Sequence, residues 1–259
     1  MDVYLYVDTG SVLHRLDPRP KFLLVVAVIF LAVGADHPLV PGTLLGLSLV
    51  GIQVAGAWSS LRRVRALLVI IFLFSTVVWT FFSQGATPLW GPIEVESVLF
   101  GVSTGLKLAA TITASVAWLA TTRNEEITTG FIKMGAPYRM AFAFSSALRM
   151  VPTFVGAGAT IIQAQKARGV DVESGNPLAR LRKHLPMLVP VFVAALRSAK
   201  HLAMALEAKG FGARPDRTYL LELRMGIGDW LATGLALAGM AASFWMRLGG
   251  LAEIPGLVR

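Results

Sequence analysis

Along the 259-residue chain, apolar residues gather in runs at 22–33, 39–57, 66–82, 98–122 and 229–246, with polar and charged residues concentrated between them. A helix needs about 20 mostly apolar residues to cross roughly 30 Å of hydrocarbon. The three middle runs reach that length, whereas 22–33 is short and enters the bilayer with little tilt or only in part. Arg65 and Lys107 are the main charges in or beside these runs. The pattern predicts an all-α, polytopic membrane protein with about five transmembrane helices.

Two further stretches, 138–162 and 185–206, are apolar enough to be taken for spans, and charge decides against that reading. Lys and Arg collect on the cytoplasmic side of membrane proteins. Arg15, Arg19 and Lys21 precede the first run and the turn expected after the second holds Arg62, Arg63 and Arg65, while 34–38 and 83–97 contain no Lys or Arg, the latter carrying Glu94 and Glu96. This places the N-terminus and the Arg62 region in the cytoplasm. Were 138–162 and 185–206 both to cross, Lys166, Arg168, Arg180, Arg182 and Lys183 would lie on the wrong face. They are expected instead to be long helices on the cytoplasmic side. The predicted organisation is a membrane domain at 1–122 with four spans, a cytoplasmic helical domain at 123–228, and a C-terminal span and tail at 229–259.

Composition agrees with this class. Hydrophobic residues make up 55% and charged residues 15%, against about a quarter charged in soluble domains, and mean hydropathy is +0.65. The absence of cysteine excludes disulfides and thiolate chemistry. No apolar stretch within the first twenty residues resembles a cleavable signal, and Asp2, Asp8 and Asp17 lie there. The net charge of +9 would suggest nucleic acid for a soluble protein, but 15 of the 24 Lys and Arg residues fall in 123–228. The basic balance reads as a cytoplasmic surface facing lipid headgroups or protein, with no nucleic-acid partner.

Enzymatic signatures are missing. The string nearest a phosphate-binding loop, Gly101-Val-Ser-Thr-Gly105-Leu-Lys107, has the wrong spacing, lacks Ser or Thr after the lysine, and lies in an apolar span. His14, His37, His184 and His201 show no metal-ligand spacing. The expectation is a non-catalytic chain with no metal or cofactor of its own. Lys107 is read as a lysine snorkelling toward the outer interface, and Asp17-Pro18 as a turn or helix start.

Two strings invite a functional reading. Ala167-Arg168-Gly169 and Ala208-Lys209-Gly210 each close a helix with a cation, where the helix dipole favours positive charge, followed by a glycine, where the chain leaves the helix. Each alone is an ordinary helix stop; the pair, 41 residues apart, suggests two prongs on a cytoplasmic surface. Pro152 is expected to kink the first long helix, and Pro186 and Pro190 to sit near the start of the second. Small residues at Ala143, Ser146, Ala147, Gly156, Ala195 and Ala199 suit either a packing seam within the chain or a surface for a sliding partner.

The ordered set of these strings resembles the transmembrane T components of energy-coupling factor importers. It comprises Ser11-Val-Leu-His14-Arg15-Leu16-Asp17-Pro18-Arg19-Pro-Lys21, Met134-Gly135-Ala136-Pro137-Tyr138-Arg139, Ala147-Leu148-Arg149-Met150-Val151-Pro152, the two cationic helix ends, and Leu188-Val-Pro190 through Leu196-Arg197. The resemblance implies a subunit in the inner membrane of a prokaryote that transmits the work of two ATP-binding cassette subunits, which hold ATP and Mg, to a substrate-capturing S component for a vitamin or transition-metal ion. It assigns one cationic motif to each ATPase, and Lys209 departs from the usual arginine. A permease subunit of a conventional ABC importer and an intramembrane enzyme are the alternatives. The spacing of Gly169 and Leu185-Pro186 does not suit the first, and no polar catalytic cluster within the spans supports the second.

Overall fold

A computed structural model describes residues 9–83, 85–90, 93–170, 174, 176–213, 223 and 225–249. Asp2, Asp8 and the tail after residue 249 lie outside them. The described helices are α1 (Val12–Arg15), α2 (Pro18–Gly34), α3 (Leu39–Ala55), α4 (Trp58–Phe82), α5 (Val95–Thr121), α6 (Asn124–Lys133), α7 (Tyr138–Ala167), α8 (Pro177–Ala208) and α9 (Ile227–Leu248). A short antiparallel pair, β1 (Pro88–Trp90) and β2 (Ile93–Glu94), links α4 to α5. The fold is all-α, as expected, apart from this pair.

By length and composition five of the described helices can cross a membrane: α4, α5, α7, residues Arg180–Ala208 of α8, and α9. The two 17-residue helices α2 and α3 stand at the short limit for a span. The chain forms two compact units, Met1–Ala136 with Leu223–Arg259, and Pro137–Glu222. The sequence divisions at 122 and 228 rest on membrane sidedness, a separate property.

In the first unit α5 is the central helix, packed by α2, α3 and α4. Small residues make this possible. A Cβ on Gly101 would stand 2.7 Å from the Thr76 carbonyl oxygen, and one on Gly105 would stand 2.8 Å from the Phe72 ring, so α4 and α5 meet nearly backbone to backbone. One core joins Ile52, Ala55, Ala57 and Leu61 to Val116 and Ala120; another joins Ala32, Leu44 and Ala110. The Gly101–Lys107 string therefore lies in helix interior against α4, where its amides cannot cradle a phosphate.

α9 returns to α2 and is pinned at both ends. Asp17 caps α2, its carboxylate accepting the Arg19 N–H at 3.1 Å, and Pro18 opens the helix. The Asp17 N–H in turn donates to Asp229 Oδ1 at 2.8 Å, while Asp229 Oδ2 accepts the Gly226 N–H at the start of α9. At the far end Ser243 Oγ donates to the Phe30 carbonyl at 2.7 Å, and Gly34 leaves room for that serine. Lys21 is buried, with Nζ donating to the Thr121 and His14 carbonyls. It ties the start of α2 to the end of α5 rather than standing among surface cations. α6 also packs on α2, with Phe131 edge-on to Phe22 at 6.1 Å.

Three expectations are corrected. Arg62, Arg63 and Arg65 lie within the first two turns of α4, because Gly56, at φ 64°, ends α3 and leaves only Ala57 before the next helix. Lys107 does not snorkel: Nζ lies 3.0 Å from Asp36 Oδ1, in a largely buried pair, and 5.7 Å from the Phe100 ring centroid. Pro186 and Pro190 lie inside α8, which begins at Pro177.

In the second unit α7 has 30 residues with Pro152 inside it, and α8 has 32. Gly158 approaches Val191 Cγ2 mid-pair, while Tyr138 and Phe142 near the start of α7 meet Phe211 just past the end of α8. The two helices therefore run antiparallel.

Candidate functional site: two cationic helix ends

The last turns of α7 and α8 are built by the same hydrogen bonds. After α7, the Gly169 N–H donates to the Lys166 carbonyl at 2.9 Å and the Val170 N–H to Gln165 at 3.1 Å. After α8, the Gly210 N–H donates to Glu207 at 2.9 Å and the Phe211 N–H to Leu206 at 2.9 Å. This pairing of bonds is the Schellman stop, which satisfies carbonyls that a helix end would leave bare. It requires a left-handed residue, and Gly169 and Gly210 have φ of 86° and 69°. No atom lies within 4 Å of where a Cβ on Gly169 would stand. Glycine is thus needed there for its backbone angle and not for space.

The stop itself is not distinctive. α3 and α6 end with the same two bonds, at Gly56 and Gly135. What differs is the residue before the glycine: Ala55 and Met134 in those helices, Arg168 and Lys209 in these. Arg168 and Lys209 take matching backbone angles, φ −84° with ψ 8° and φ −89° with ψ 7°. Both are exposed, as are Ala167, Gly169, Ala208 and Gly210. Neither cation forms an ion pair or hydrogen bond with a described residue. Each is an exposed positive charge held at a negative helix terminus. Because α7 and α8 are antiparallel, the two cations sit at opposite ends of the pair. From Phe142 to Arg168, roughly 40 Å of helix intervenes at 1.5 Å per residue.

The small residues are distributed less evenly. Ser146 and Ala195 are half-buried, whereas Ala143, Ala147, Gly156 and Ala199 lie on open helix surface. Large apolar side chains are exposed beside them, including Met140, Phe144 and Val155 on α7 and Val189, Phe192 and Leu196 on α8.

Two features, one in each unit, carry little or no signal in the sequence. One is the ring cluster of Tyr138, Phe142 and Phe211, with centroids 4.6 Å apart for Phe142–Phe211 and 5.8 Å for Tyr138–Phe211. Its only signal in the sequence is the four-residue spacing of Tyr138 and Phe142. The other is the Asp17–Asp229 link, which joins residues 212 positions apart and carries no local signal at all. Among the described residues, no group of three His, Asp or Glu side chains is placed to hold a metal ion.

The fold and the site define a multi-pass helical membrane protein that carries two matched, exposed cationic helix ends. The sequence pattern of the CbiQ family, described as cobalt transport protein, matches residues 9–220, and the chain belongs to this family as a T component of an energy-coupling factor transporter. The energy-coupling factor transporter transmembrane protein EcfT of Acidaminococcus fermentans is 33% identical over 249 residues, covering 91% of this chain and 92% of the relative. The protein of the same name from Thermosediminibacter oceani is 32% identical over 254 residues, covering 92% and 96%. That from Staphylococcus aureus is 27% identical over 260 residues, covering 95% and 97%.

Proposed function

We propose that this chain couples two ATP-binding cassette subunits to a substrate-binding S component, with Arg168 and Lys209 as the points of contact, one for each ATPase. The matched, exposed cations at the two helix ends carry this reading. A guanidinium grips a carboxylate through two parallel N–H donors, whereas an ammonium acts as a compact point charge. The Arg168 contact is therefore the more rigid and the Lys209 contact the more adaptable. Ala167, Gly169, Ala208 and Gly210 hold the cations in place through the helix stops.

The open small-residue and apolar surface of α7 and α8, including Ala143, Ala147, Gly156 and Ala199, is the face offered to the S component, which selects a vitamin or transition-metal ion. This chain needs no cofactor: ATP and Mg belong to the cassette subunits. In the membrane, the N-terminus and residues 123–228 lie on the cytoplasmic side of the inner membrane. That arrangement keeps the cations of α7 and α8 inside although both helices are long enough to cross.

Reconstitution tests the division of labour. The purified chain alone should show no ATP hydrolysis, and activity should appear when the cassette subunits are added. Nucleotide turnover by the isolated chain, surviving removal of contaminating ATPases, would contradict the assignment.

A further inference from the structure

The two helix stops share their backbone bonds but differ in the residue that follows the glycine. A Schellman stop commonly turns that residue back onto its own helix through an apolar contact. After α7 it is Val170, which is 40% exposed. After α8 it is Phe211, half-buried, whose ring lies 4.6 Å from Phe142 and 5.8 Å from Tyr138 of the other helix. Tyr138 and Phe142 in turn stack at 6.0 Å. Phe211 is two residues from Lys209, and Tyr138 opens α7 directly after its N-cap Pro137.

We infer that Phe211 is a positioning residue that fastens the Lys209 helix end to the root of α7, so that displacement of Lys209 is passed to Tyr138 through the ring cluster. Three interlocked rings resist relative sliding because aromatic pairs have preferred offset and tilted geometries, and a tight turn of two residues leaves little slack between Lys209 and Phe211. The stop after α7 ends in an aliphatic residue, Val170, with no such ring contact among the described residues. The two prongs are therefore mechanically unequal. Force applied at Lys209 reaches the root of α7 directly, while force at Arg168 must travel along the whole helix past Pro152. This inference rests on the coupling reading for the source of the force, and on the ring geometry for its route.

The absence of cysteine allows a clean distance measurement. Exposed positions on either side of the cluster, Met140 on α7 and Glu207 on α8, are replaced by cysteine and spin-labelled in the full chain. The chain is then purified with its co-expressed cassette and S subunits and embedded in lipid nanodiscs. In the parent chain the label separation should be narrow and unchanged by Mg-ATP, because the helix end and the root move together. With Phe211→Ala, Mg-ATP should shift the separation on the order of 5 Å, one helical turn, while the cassette subunits still co-purify. Phe211→Tyr should restore the nucleotide-independent value. Phe211→Leu, which keeps apolar bulk without the ring, carries the same comparison if the alanine chain does not fold.

A separation that moves with Mg-ATP in the parent chain, or stays fixed in Phe211→Ala and Phe211→Leu, would overturn the inference. Failure of the cassette subunits to co-purify with the parent chain would count against the coupling reading instead. The link can then be judged on the isolated chain in nanodiscs, where Phe211→Leu should broaden the distribution and an unchanged width would refute it.

Discussion

At the scale of single residues, Arg168 and Lys209 occupy equivalent places with unlike chemistry. Lys209→Arg should therefore be tolerated or should tighten association with the cassette subunits. Arg168→Lys should weaken it, by about 1–3 kcal/mol if one charge-assisted hydrogen bond is lost. Titration of immobilised cassette subunits with each variant reads the difference, and equal affinities would remove the distinction between the prongs. The glycines are tested by stability alone. Gly210→Ala forces an L-residue into φ near 69° and should cost about 1–2 kcal/mol, whereas Gly210→Asn should cost less because asparagine tolerates that conformation. Thermal denaturation in detergent would show the order.

At the scale of elements, local chemistry was legible in the sequence and long-range contact was not. Asp17-Pro18 announces the start of α2, and both cationic helix ends lie where the Arg-Gly and Lys-Gly strings put them. The basic cluster at Arg62–Arg65 reads as a turn because charge interrupts the apolar run, yet the tight stop at Gly56 leaves those arginines inside α4. Pro186 and Pro190 suggest a helix start, but α8 continues through both, since an exposed helix of 32 residues can lose individual backbone bonds without ending. Lys107 looks solitary because its partner Asp36 lies 71 residues away. The α2–α9 junction gives an independent test. Asp229→Ala leaves the buried Asp17 N–H and the Gly226 N–H without their acceptor, which should destabilise the protein by about 2 kcal/mol. Reduced thermal stability in detergent with unchanged helix content by circular dichroism is the expected result; an unaltered melting profile would show that the link contributes nothing.

At the scale of the whole molecule, hydropathy and sidedness answer different questions. Five of the described helices are long and apolar enough to cross a bilayer, α7 and α8 among them, and only the distribution of Lys and Arg argues that those two stay on the cytoplasmic side. Single cysteines in this cysteine-free chain separate the possibilities. Asn176, before α8, should be shielded from an impermeant thiol reagent in intact cells, and Thr87, between α4 and α5, should be labelled. The reverse pattern would invert the topology.

The central claim is that two cationic helix ends hold two ATPases, and charge reversal tests it most directly. Arg168→Glu with Lys209→Glu sets like charges together at a desolvated contact and should weaken association by about 2–5 kcal/mol. If the cations served only as helix caps, the loss would be about 0.3–1 kcal/mol of helix stability, with the complex intact. Co-purification of the cassette subunits with the double variant, at matched membrane expression, is the measurement. The account predicts that the cassette subunits are lost while the chain still inserts in the membrane; recovery at the parent yield would contradict it.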